Sequence, residues 1–343
     1  MKASVRAQDV ASLAGVSQSA VSRTFTPGAS VSEDTRRKVL AAAQQLGYRP
    51  NALARSLITR RSHIVALVMS YLENQFYPLV IERLSQQLQR EGYHVLMFIA
   101  EMDEAADGVL AEILEYQVDG IIMASTMLSP TLANSCAAVG VPVVQFNRTS
   151  SLEGLPRHTV SAVTSDNYRG GELAATLLIE RGHRRIAFLA GLEASSTSLA
   201  RERGFVETLA AHGLKLAGRE TGRYDFVEAQ AATRRLFAGP QRPDALFAAN
   251  DHMAIAALDV IRGELQLRVP DDVAVIGFDD VPQAAWGAYH LTSVRQNLEA
   301  MVEATVLLMC EQMQGTFAPR NIVIPCELVE RSTVRPPLQH SAN

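Results

Sequence analysis

From Ile64 onward, short apolar runs alternate with helical patterns, and this alternation limits the possible folds more than any other feature of the chain. Runs such as Ile64–Met69 and Gly120–Ala124 are typical of strands that are buried on both faces, as in parallel sheets. Because a second series repeats the alternation, the sequence predicts two doubly wound α/β lobes. The predicted strands are Ile64–Met69, Val95–Ile99, Gly120–Ala124, Val141–Phe146, Val160–Thr164, Arg185–Ala190, one near Gly222, Ala245–Ala248, Val273–Gly277 and Ile322–Val329. The predicted helices between and after them are Pro78–Glu91, Ala105–Tyr116, Thr131–Val139, Arg169–Arg181, Leu199–His212, Val227–Phe237, Met253–Arg262 and Leu298–Met313.

Charge divides the chain unevenly. Residues 1–63 carry ten Lys and Arg against three Asp and Glu, a net charge of +7, whereas the remainder carries −11. A cationic head on an acidic body favours a nucleic-acid partner for the head.

The head has the pattern of a helix-turn-helix. Gln8–Ala14 is helical in period, Gly15 ends it, and Ser17 is positioned as the N-cap of a second helix, Gln18–Phe25. In such a motif the second helix enters the major groove of DNA. A third helix, Glu33–Leu46, follows. Its apolar residues, expected to pack beneath the first two helices, are Val39, Leu40, Ala43 and Leu46.

The start of the second helix supplies residues that can contact bases and phosphates. Gln18 can pair with adenine through two hydrogen bonds, and the Ala20 methyl group can contact a thymine methyl. Ser22 and Arg23 suit phosphate or base contacts. The predicted DNA contacts from this helix are Ser17, Gln18, Ser19, Ala20, Ser22 and Arg23.

A basic stretch, residues 49–61, joins the head to the body. Pro50 suits a first helical turn, and residues 51–57 can continue it. Arg55, Arg60 and Arg61 are available for phosphates. From these residues alone, an ordinary linker with scattered arginines is an equal alternative.

Residues 9–57 resemble the head of the lactose/galactose repressor (LacI/GalR) family. The shared phrases DVA, AGVS, VSR, VSE, TR, KV, LGY, PN, AR and L occur in the family's order and spacing. The body resembles the periplasmic-binding-protein-like core of the same family through DNYRGG, GHRRIAFLAG, AAND, VPDDVAVIGFDD and LTSVRQN. In two places the head departs from the family pattern: Ala20 stands where threonine is common, and Thr26-Pro27-Gly28 replaces the usual turn.

The resemblance implies a hinge helix at residues 49–61 with Leu57 wedged into the minor groove of the DNA. Ala54 would lie against the same groove, and the further hinge contacts are expected from Asn51 and Arg55. It also implies the following organisation. The expected bounds are 1–48 for the helix-turn-helix domain, 49–61 for the hinge, 62–333 for the core and 334–343 for a tail. Within the core, the expected bounds are about 62–160 plus 293–320 for lobe 1 and about 161–290 plus 321–333 for lobe 2.

Loops that follow strands supply the candidates for a small-molecule site between the lobes. The resemblance places a ligand-clamping arginine at Arg201 and polar ligand contacts at Asp279 and Asn250, with Asp251 and Asp280 expected to act as caps. Asp166 is either a contact or a helix cap, and the aromatic candidates are either cavity walls or core. Arg148, next to Asn147, is a further polar candidate. The predicted effector contacts are Phe76, Tyr77, Ser125, Asn147, Asp166, Thr197, Arg201, Phe226, Asn250 and Asp279.

Arg, Asp and Asn between aromatic walls suit a sugar or sugar derivative, and a nucleobase or hydroxy acid stays open. Neither a GxGxxG nor a P-loop pattern follows a strand, so no nucleotide cofactor is predicted. The cysteines (Cys136, Cys310 and Cys326) fit no zinc or redox spacing, and His183 has no assignable catalytic partner, so we expect neither a metal site nor an enzyme. With no apolar run of ~18 residues and no signal peptide, a cytoplasmic protein is expected.

The sequence therefore predicts a DNA-binding transcriptional regulator, most simply a repressor. It would bind a palindromic operator as a homodimer, with a small effector in the cleft as its switch. The proline-containing tail lacks a heptad, which favours a dimer over a tetramer. Inducer or corepressor, and repression or activation, stay open. The rival classes are a solute-binding protein or sensor with another output, and an enzyme.

Overall fold

The computed structural model describes residues 5–26, 28–49, 61–100, 107–124, 130–149, 160–315 and 318–337. The chain divides into two units, Met1–Ser62 and His63–Asn343, and each has its own buried apolar core.

The described residues of the first unit form three helices: α1 (Ala7–Ala14), α2 (Gln18–Thr24) and α3 (Glu33–Leu46). Val10, Val21 and Val39 contribute one fully buried side chain from each helix. Ser17 Oγ accepts a hydrogen bond from the Ala20 N–H at 3.2 Å, so the predicted N-cap of α2 is confirmed.

Leu40 is the exception to the predicted packing in this unit. Its side chain is 46% exposed, whereas Val39, Ala42 and Ala43 are buried. Because consecutive helical residues point about 100° apart, the stripe through Val39 and Ala43 turns Leu40 toward solvent.

The second unit contains two six-stranded sheets with the same strand order, and this confirms the two predicted doubly wound lobes. The order is β11-β5-β4-β3-β1-β2 in the first sheet and β12-β10-β9-β8-β6-β7 in the second. Every pairing between the described strands is parallel except that of β12 with β10. The strands are β1 Ile64–Met69, β2 His94–Ile99, β3 Gly120–Ala124, β4 Val143–Phe146, β5 Ser161–Ser165, β6 Ile186–Ala190, β7 Gly218–Thr221, β8 Ala245–Ala248, β9 Ala274–Asp279, β10 Thr292–Gln296, β11 Asn321–Ile324 and β12 Cys326–Val329. The helices are α4 Phe76–Arg90, α5 Asp107–Glu115, α6 Pro130–Ala138, α7 Asn167–Glu180, α8 Ser196–Ala211, α9 Phe226–Phe237, α10 Asp251–Leu258 and α11 Leu298–Met313.

The sheets divide the chain differently from the expected lobe bounds. β5 belongs to the first sheet rather than the second, and β10 belongs to the second rather than the first. The single strand predicted over Ile322–Val329 is two strands, β11 and β12, one in each sheet. Pro325 separates them, since it has no N–H to donate to a sheet ladder. Apolar runs show that strands are buried, but they do not show which sheet a strand joins.

Three segments therefore cross between the lobes, after β5, after β10 and between β11 and β12. Hydrogen bonds tie these segments together. Ser165 Oγ donates to Gln296 Oε1 at 2.7 Å, and the Asp166 N–H donates to the Ile324 carbonyl at 2.8 Å. Any change in the angle between the lobes must act on these bonded segments, which together form the inter-lobe hinge.

Helices α7 and α8 pack with their backbones in direct contact, and this packing places Arg201. A Cβ added at Gly204 would lie 2.1 Å from the Tyr168 carbonyl oxygen, and one added at Gly171 would lie 2.2 Å from that of Arg201. Only glycine permits this approach. The close packing brings Arg201, on α8, against Asn167 at the start of α7.

Candidate functional site

A polar cavity lies between the two lobes, at the carboxyl ends of their strands. The space inside it, including the part open to solvent, is about 370 Å³. Both sheets contribute, since Ser70 follows β1 of the first lobe and Asn250 follows β8 of the second. The lining residues are Ser70, Tyr71, Asn74, Tyr77, Asn147, Arg148, Thr197, Arg201, Tyr224, Asn250 and Asp279.

Four of the lining side chains are carried on backbone with positive φ. Such a conformation is uncommon outside glycine, costs about 1–3 kcal/mol per residue and is concentrated at functional sites. The four are Tyr71 (φ 67°), Asn147 (φ 57°), Tyr224 (φ 62°) and Asp279 (φ 117°).

Arg201 is a fixed wall of the cavity. Its side chain is 2% exposed, and its Nε donates to Asn167 Oδ1 at 2.8 Å. Nη1 donates to the Ala249 carbonyl, and the guanidinium carbon lies 3.5 Å from the centroid of the Phe278 ring. Nη1 also lies 3.6 Å from a carboxylate oxygen of Asp279. The sequence motif placed this arginine in the site, and the neighbours on α7, β8 and β9 hold it there.

Asp279 is a buried carboxylate with both oxygens hydrogen-bonded. Oδ1 accepts from Gln296 Nε2 at 2.7 Å, and Oδ2 accepts from Asn74 Nδ2 at 3.5 Å. Burial raises the pKa of this carboxyl to about 6, against the lowering effects of the Arg201 charge and the two amide donors. The group is therefore mostly ionised at neutral pH and mostly protonated below pH 6.

Hydrogen bonds cross the cleft on more than one side of the cavity. One is the bond from Asn74 of the first lobe to Asp279 of the second. In another, the Thr149 N–H of the first lobe donates to Ser196 Oγ of the second at 3.1 Å. Gln75 Oε1 lies 3.3 Å from His252 Nδ1. The lobes are thus in the closed arrangement, with their rims joined around the cavity.

Six of the predicted effector contacts line this cavity, and three do not. Phe76 is 2% exposed in the apolar core, Asp166 caps α7 by accepting from the Arg169 N–H at 3.0 Å, and Phe226 packs edge-on against the His252 ring. Ser125 lies outside the described residues. The six that line the cavity are Tyr77, Asn147, Thr197, Arg201, Asn250 and Asp279.

Sequence reasoning did not select four of the lining residues: Ser70, Tyr71, Asn74 and Tyr224. Ser70, Tyr71 and Asn74 lie in the loop between β1 and α4, and Tyr224 lies between β7 and α9. The available signal was their position just after strands. The aromatic residues predicted from the same two loops, Phe76 and Phe226, begin the helices that follow.

The capping role expected of Asp251 belongs to Asn250, which also lines the cavity. Asn250 caps α10, its Oδ1 accepting from the Met253 N–H at 3.0 Å, while its Nδ2 is buried without a hydrogen-bond partner among the described residues. Asp251 is not the cap. It is fully buried and accepts from the Val281 N–H at 2.9 Å and from Ser293 Oγ at 2.6 Å. Asp280 is not a cap either, because its carboxylate pairs with Arg295 and Arg331.

The first unit presents the start of α2 to solvent. Gln18, Ser19, Ser22 and Arg23 are exposed, and Ser17 is exposed while it caps the helix. Ala20 is 8% exposed and lies beside the buried Val21, which leaves little of its methyl group available for the predicted contact with a thymine. The hinge candidates Asn51, Ala54, Arg55 and Leu57 lie outside the described residues.

Two features are absent from the described residues. No helix there is long and apolar enough to cross a membrane. No group of three or more His, Cys, Asp or Glu side chains there is arranged to hold a metal ion.

Comparison with known proteins places both units in one family. Residues 7–51 match the family model for bacterial regulatory proteins, lacI family, and residues 175–334 match that for a periplasmic binding protein-like domain. The chain is 34% identical over 334 residues to the HTH-type transcriptional regulator CelR of Thermobifida fusca, covering 94% of this chain and 96% of the relative. It is 33% identical to the ribose operon repressor of Bacillus subtilis (strain 168), covering 96% of this chain and 98% of that repressor.

Solved structures agree over almost the whole length. The lac repressor dimer bound to operator and the anti-inducer ONPF superposes with a TM-score of 0.86 at 26% identity, covering 96% of this chain and 99% of that chain. The CelR–cellobiose complex superposes with a TM-score of 0.72 at 33% identity, with the same coverage. The chain belongs to the lacI family of bacterial regulatory proteins.

Proposed function

We propose that this chain is a transcriptional repressor that binds a palindromic operator as a homodimer and is switched by a sugar or sugar derivative in the cavity. One combination of features carries the proposal. A helix-turn-helix with an exposed polar α2 and a closed polar cavity between two hinged lobes occur in the same chain. A solute-binding protein has no use for the first feature, and a simple DNA-binding protein has no use for the second.

The DNA-binding half of the proposal rests on α2. Gln18 and Ser19 are at its exposed N-terminal end, which is the part of a recognition helix that meets base edges. Arg23 adds a charge for phosphate. A single motif of this kind reads only a few base pairs, so useful affinity calls for two heads on a two-fold symmetric site. The lac repressor, which this chain resembles, is a dimer bound to operator in its solved structure.

The switching half rests on the cleft. Asn, Tyr and Arg side chains between the lobes suit the hydroxyl groups of a sugar, and the similar regulator CelR is solved with cellobiose. A ligand that bridges the lobes favours the closed arrangement, and the hinge segments would carry that bias to the segment formed by residues 49–61. By linkage, DNA and effector then change each other's affinity by the same factor.

Two further points complete the proposal. A regulator of chromosomal genes acts where the chromosome is, so the expected place of action is the cytoplasm. We also assign the hinge-helix candidates Asn51, Ala54, Arg55 and Leu57 to the minor groove at the operator centre, with Leu57 as the wedge.

The test is selection of bound duplexes from a random pool by the purified full-length protein, at two salt concentrations, with and without a panel of sugars. The expected result is an enriched palindrome with a central pyrimidine–purine step, whose retention changes with at least one ligand. Sequence-blind binding that simply falls with salt would overturn the proposal and make the cleft a sensor with another output.

A further inference from the structure

Among the described residues that line the cavity, Arg148 carries the charge that no neighbour balances. It follows Asn147 in the loop after β4, lines the cavity and is 6% exposed. Its Nε is buried without a hydrogen-bond partner among the described residues, and it forms no ion pair with a described carboxylate. Because a guanidinium stays protonated in proteins, this positive charge persists when it is buried.

The other charged groups of the cavity already have partners. Arg201 donates to Asn167 and to the Ala249 carbonyl and lies beside Asp279. The two oxygens of Asp279 accept from Gln296 and Asn74. Among the described residues, the lining thus holds two guanidiniums and one carboxylate, and that carboxylate is next to Arg201. The described lining is left with a net positive charge, and it is located at Arg148.

Hydrogen-bond donors are also in excess. The Asn250 amide is fixed in orientation, because its Oδ1 caps α10, so its unpartnered buried Nδ2 is a donor. The Tyr71 hydroxyl is likewise buried without a partner among the described residues. One acceptor, Asn147 Oδ1, is unpartnered in the same set. Unpaired buried polar groups cost free energy, so this arrangement is completed by a ligand rich in acceptors that also carries a hydroxyl.

We infer that the effector is an anion, a hydroxylated acid whose carboxylate or phosphate pairs with the Arg148 guanidinium. This inference rests on the proposed function, since it names the chemical class of the ligand that switches the repressor. A planar guanidinium binds a carboxylate or phosphate through two parallel N–H···O bonds, whereas a neutral sugar leaves the charge uncompensated. The hydroxyl groups of the acid are left for Asn147 and the tyrosines.

Calorimetric titration of the full-length protein with matched ligands tests the inference. The sets are glucose, gluconate, glucuronate and glucose 6-phosphate; galactose, galacturonate and galactose 6-phosphate; and ribose and ribose 5-phosphate. We expect at least one acid to bind about tenfold or more tighter than its neutral parent. The carboxylate and phosphate members of each set distinguish the two sources of the anion. Acetate and inorganic phosphate, which lack hydroxyls, should bind more weakly than the acid.

Variants locate the contact. Arg148→Gln should remove the preference for the acid over the neutral sugar, and Arg148→Lys should keep part of it, because lysine keeps the charge without the planar fork. Arg90→Gln is the control, an exposed arginine on α4 of the same lobe, and should keep the full preference. Thermal unfolding of each variant shows whether the fold is retained.

Three results would overturn the inference: equal or tighter binding of every neutral parent, an equal loss for acid and neutral sugar in Arg148→Gln, or no binding of any acid at millimolar concentration. The proposed function is judged separately by operator retention. If a neutral sugar releases the operator and no acid does, the proposed repressor function is supported and the inference of an acidic effector is wrong. If an acid binds through Arg148 and no duplex is selected, the inference of an acidic ligand is supported and the proposed repressor function is wrong.

Discussion

Asn74 of the first lobe donates a hydrogen bond from Nδ2 to Oδ2 of Asp279 in the second lobe, at 3.5 Å. The other oxygen of Asp279 accepts from Gln296, which itself accepts from Ser165. Gln296 ends β10 and Ser165 ends β5, so both lie where the chain crosses between lobes. Asp279 therefore joins the cavity, the opposite lobe and the hinge through its two oxygens. A ligand that replaces Asn74 at this carboxylate would act directly on lobe closure.

Asp279 should make the stability of the core depend on pH. Burial raises the pKa of its carboxyl from 3.8 to about 6, so the folded chain binds this proton more tightly than the unfolded chain does. The contribution to stability is thus fully present below about pH 4 and is lost as the pH rises through 6, by up to about 3 kcal/mol. Urea unfolding at pH 4 to 7 should show a smaller fall in the free energy of unfolding for Asp279→Asn than for the natural chain.

Asp251 contributes a slope of the same sign, because burial and the nearby Asp279 charge raise the pKa of its carboxyl. The quantity to compare is therefore the difference in the free energy of unfolding between Asp279→Asn and the natural chain at each pH. Parallel curves for Asp279→Asn and the natural chain would show that Asp279 does not titrate in this range.

Gln296→Leu should destabilise the inter-lobe hinge and weaken effector binding in the cavity. It removes the hydrogen bonds that Asp279 Oδ1 and Ser165 Oγ make with Gln296, at a cost of about 1–3 kcal/mol in the free energy of unfolding. Effector titrations of operator release should also require a higher ligand concentration. Gln86→Ala, an exposed glutamine on α4, is the matched control and should change stability by less than about 0.5 kcal/mol. Equal effects of Gln296→Leu and Gln86→Ala would show that Gln296 has no special role in the inter-lobe hinge.

Gly204→Ala should destabilise the second lobe and displace Arg201. The added Cβ would lie 2.1 Å from the Tyr168 carbonyl oxygen, so α7 and α8 must separate, at about 1–3 kcal/mol. Effector affinity should fall with stability, since Asn167 on α7 positions Arg201 on α8. At Gly263, also helical, a Cβ meets nothing within 4 Å, and Gly263→Ala should be neutral or slightly stabilising in the same melting experiment. A stable Gly204→Ala protein would mean that the helices do not need this close approach.

Gln18→Ala should change base preference more than overall DNA affinity. A glutamine that pairs with adenine contributes about 1–3 kcal/mol of discrimination against the other bases. The measurement is binding to the selected operator and to single-base variants of it, compared with a scrambled duplex at the same salt concentration. Gln45→Ala, exposed on α3, should leave the discrimination intact. An unchanged order of preference in Gln18→Ala would exclude Gln18 from base recognition.

Leu57→Ala should lower operator affinity by about tenfold or more if Leu57 opens a base step as a wedge. The loss should be largest for operators with a central pyrimidine–purine step, which kink most easily. Titration with effector in the absence of DNA checks that the cavity still binds. Operator affinity equal to that of the natural protein would leave residues 49–61 as an ordinary linker.

The helix-turn-helix and the α/β alternation were predictable because local chemistry encodes them. Ser17 before α2 and Gly15 after α1 act through their own backbone neighbours, so a few adjacent residues are sufficient to place these helix ends. The apolar strand runs are equally local. Arg201, Asn250 and Asp279 were found through motifs that carry both the residue and its strand-end position.

Which sheet takes β5 and β10, and which loop residues face the cavity, was decided only in three dimensions. Tyr71 and Tyr224 line the cavity and lie on backbone with positive φ, and no pattern of residue types predicted that backbone. Phe76 and Phe226 have the same chemistry as those tyrosines apart from the hydroxyl, yet they pack away from the cavity. The sequence by itself thus determined the elements, the family and the polar residues that motifs mark. Tertiary structure decided the charge balance at Arg148 and the bond from Asn74 to Asp279, because both depend on groups that are distant along the chain and meet only when the lobes close.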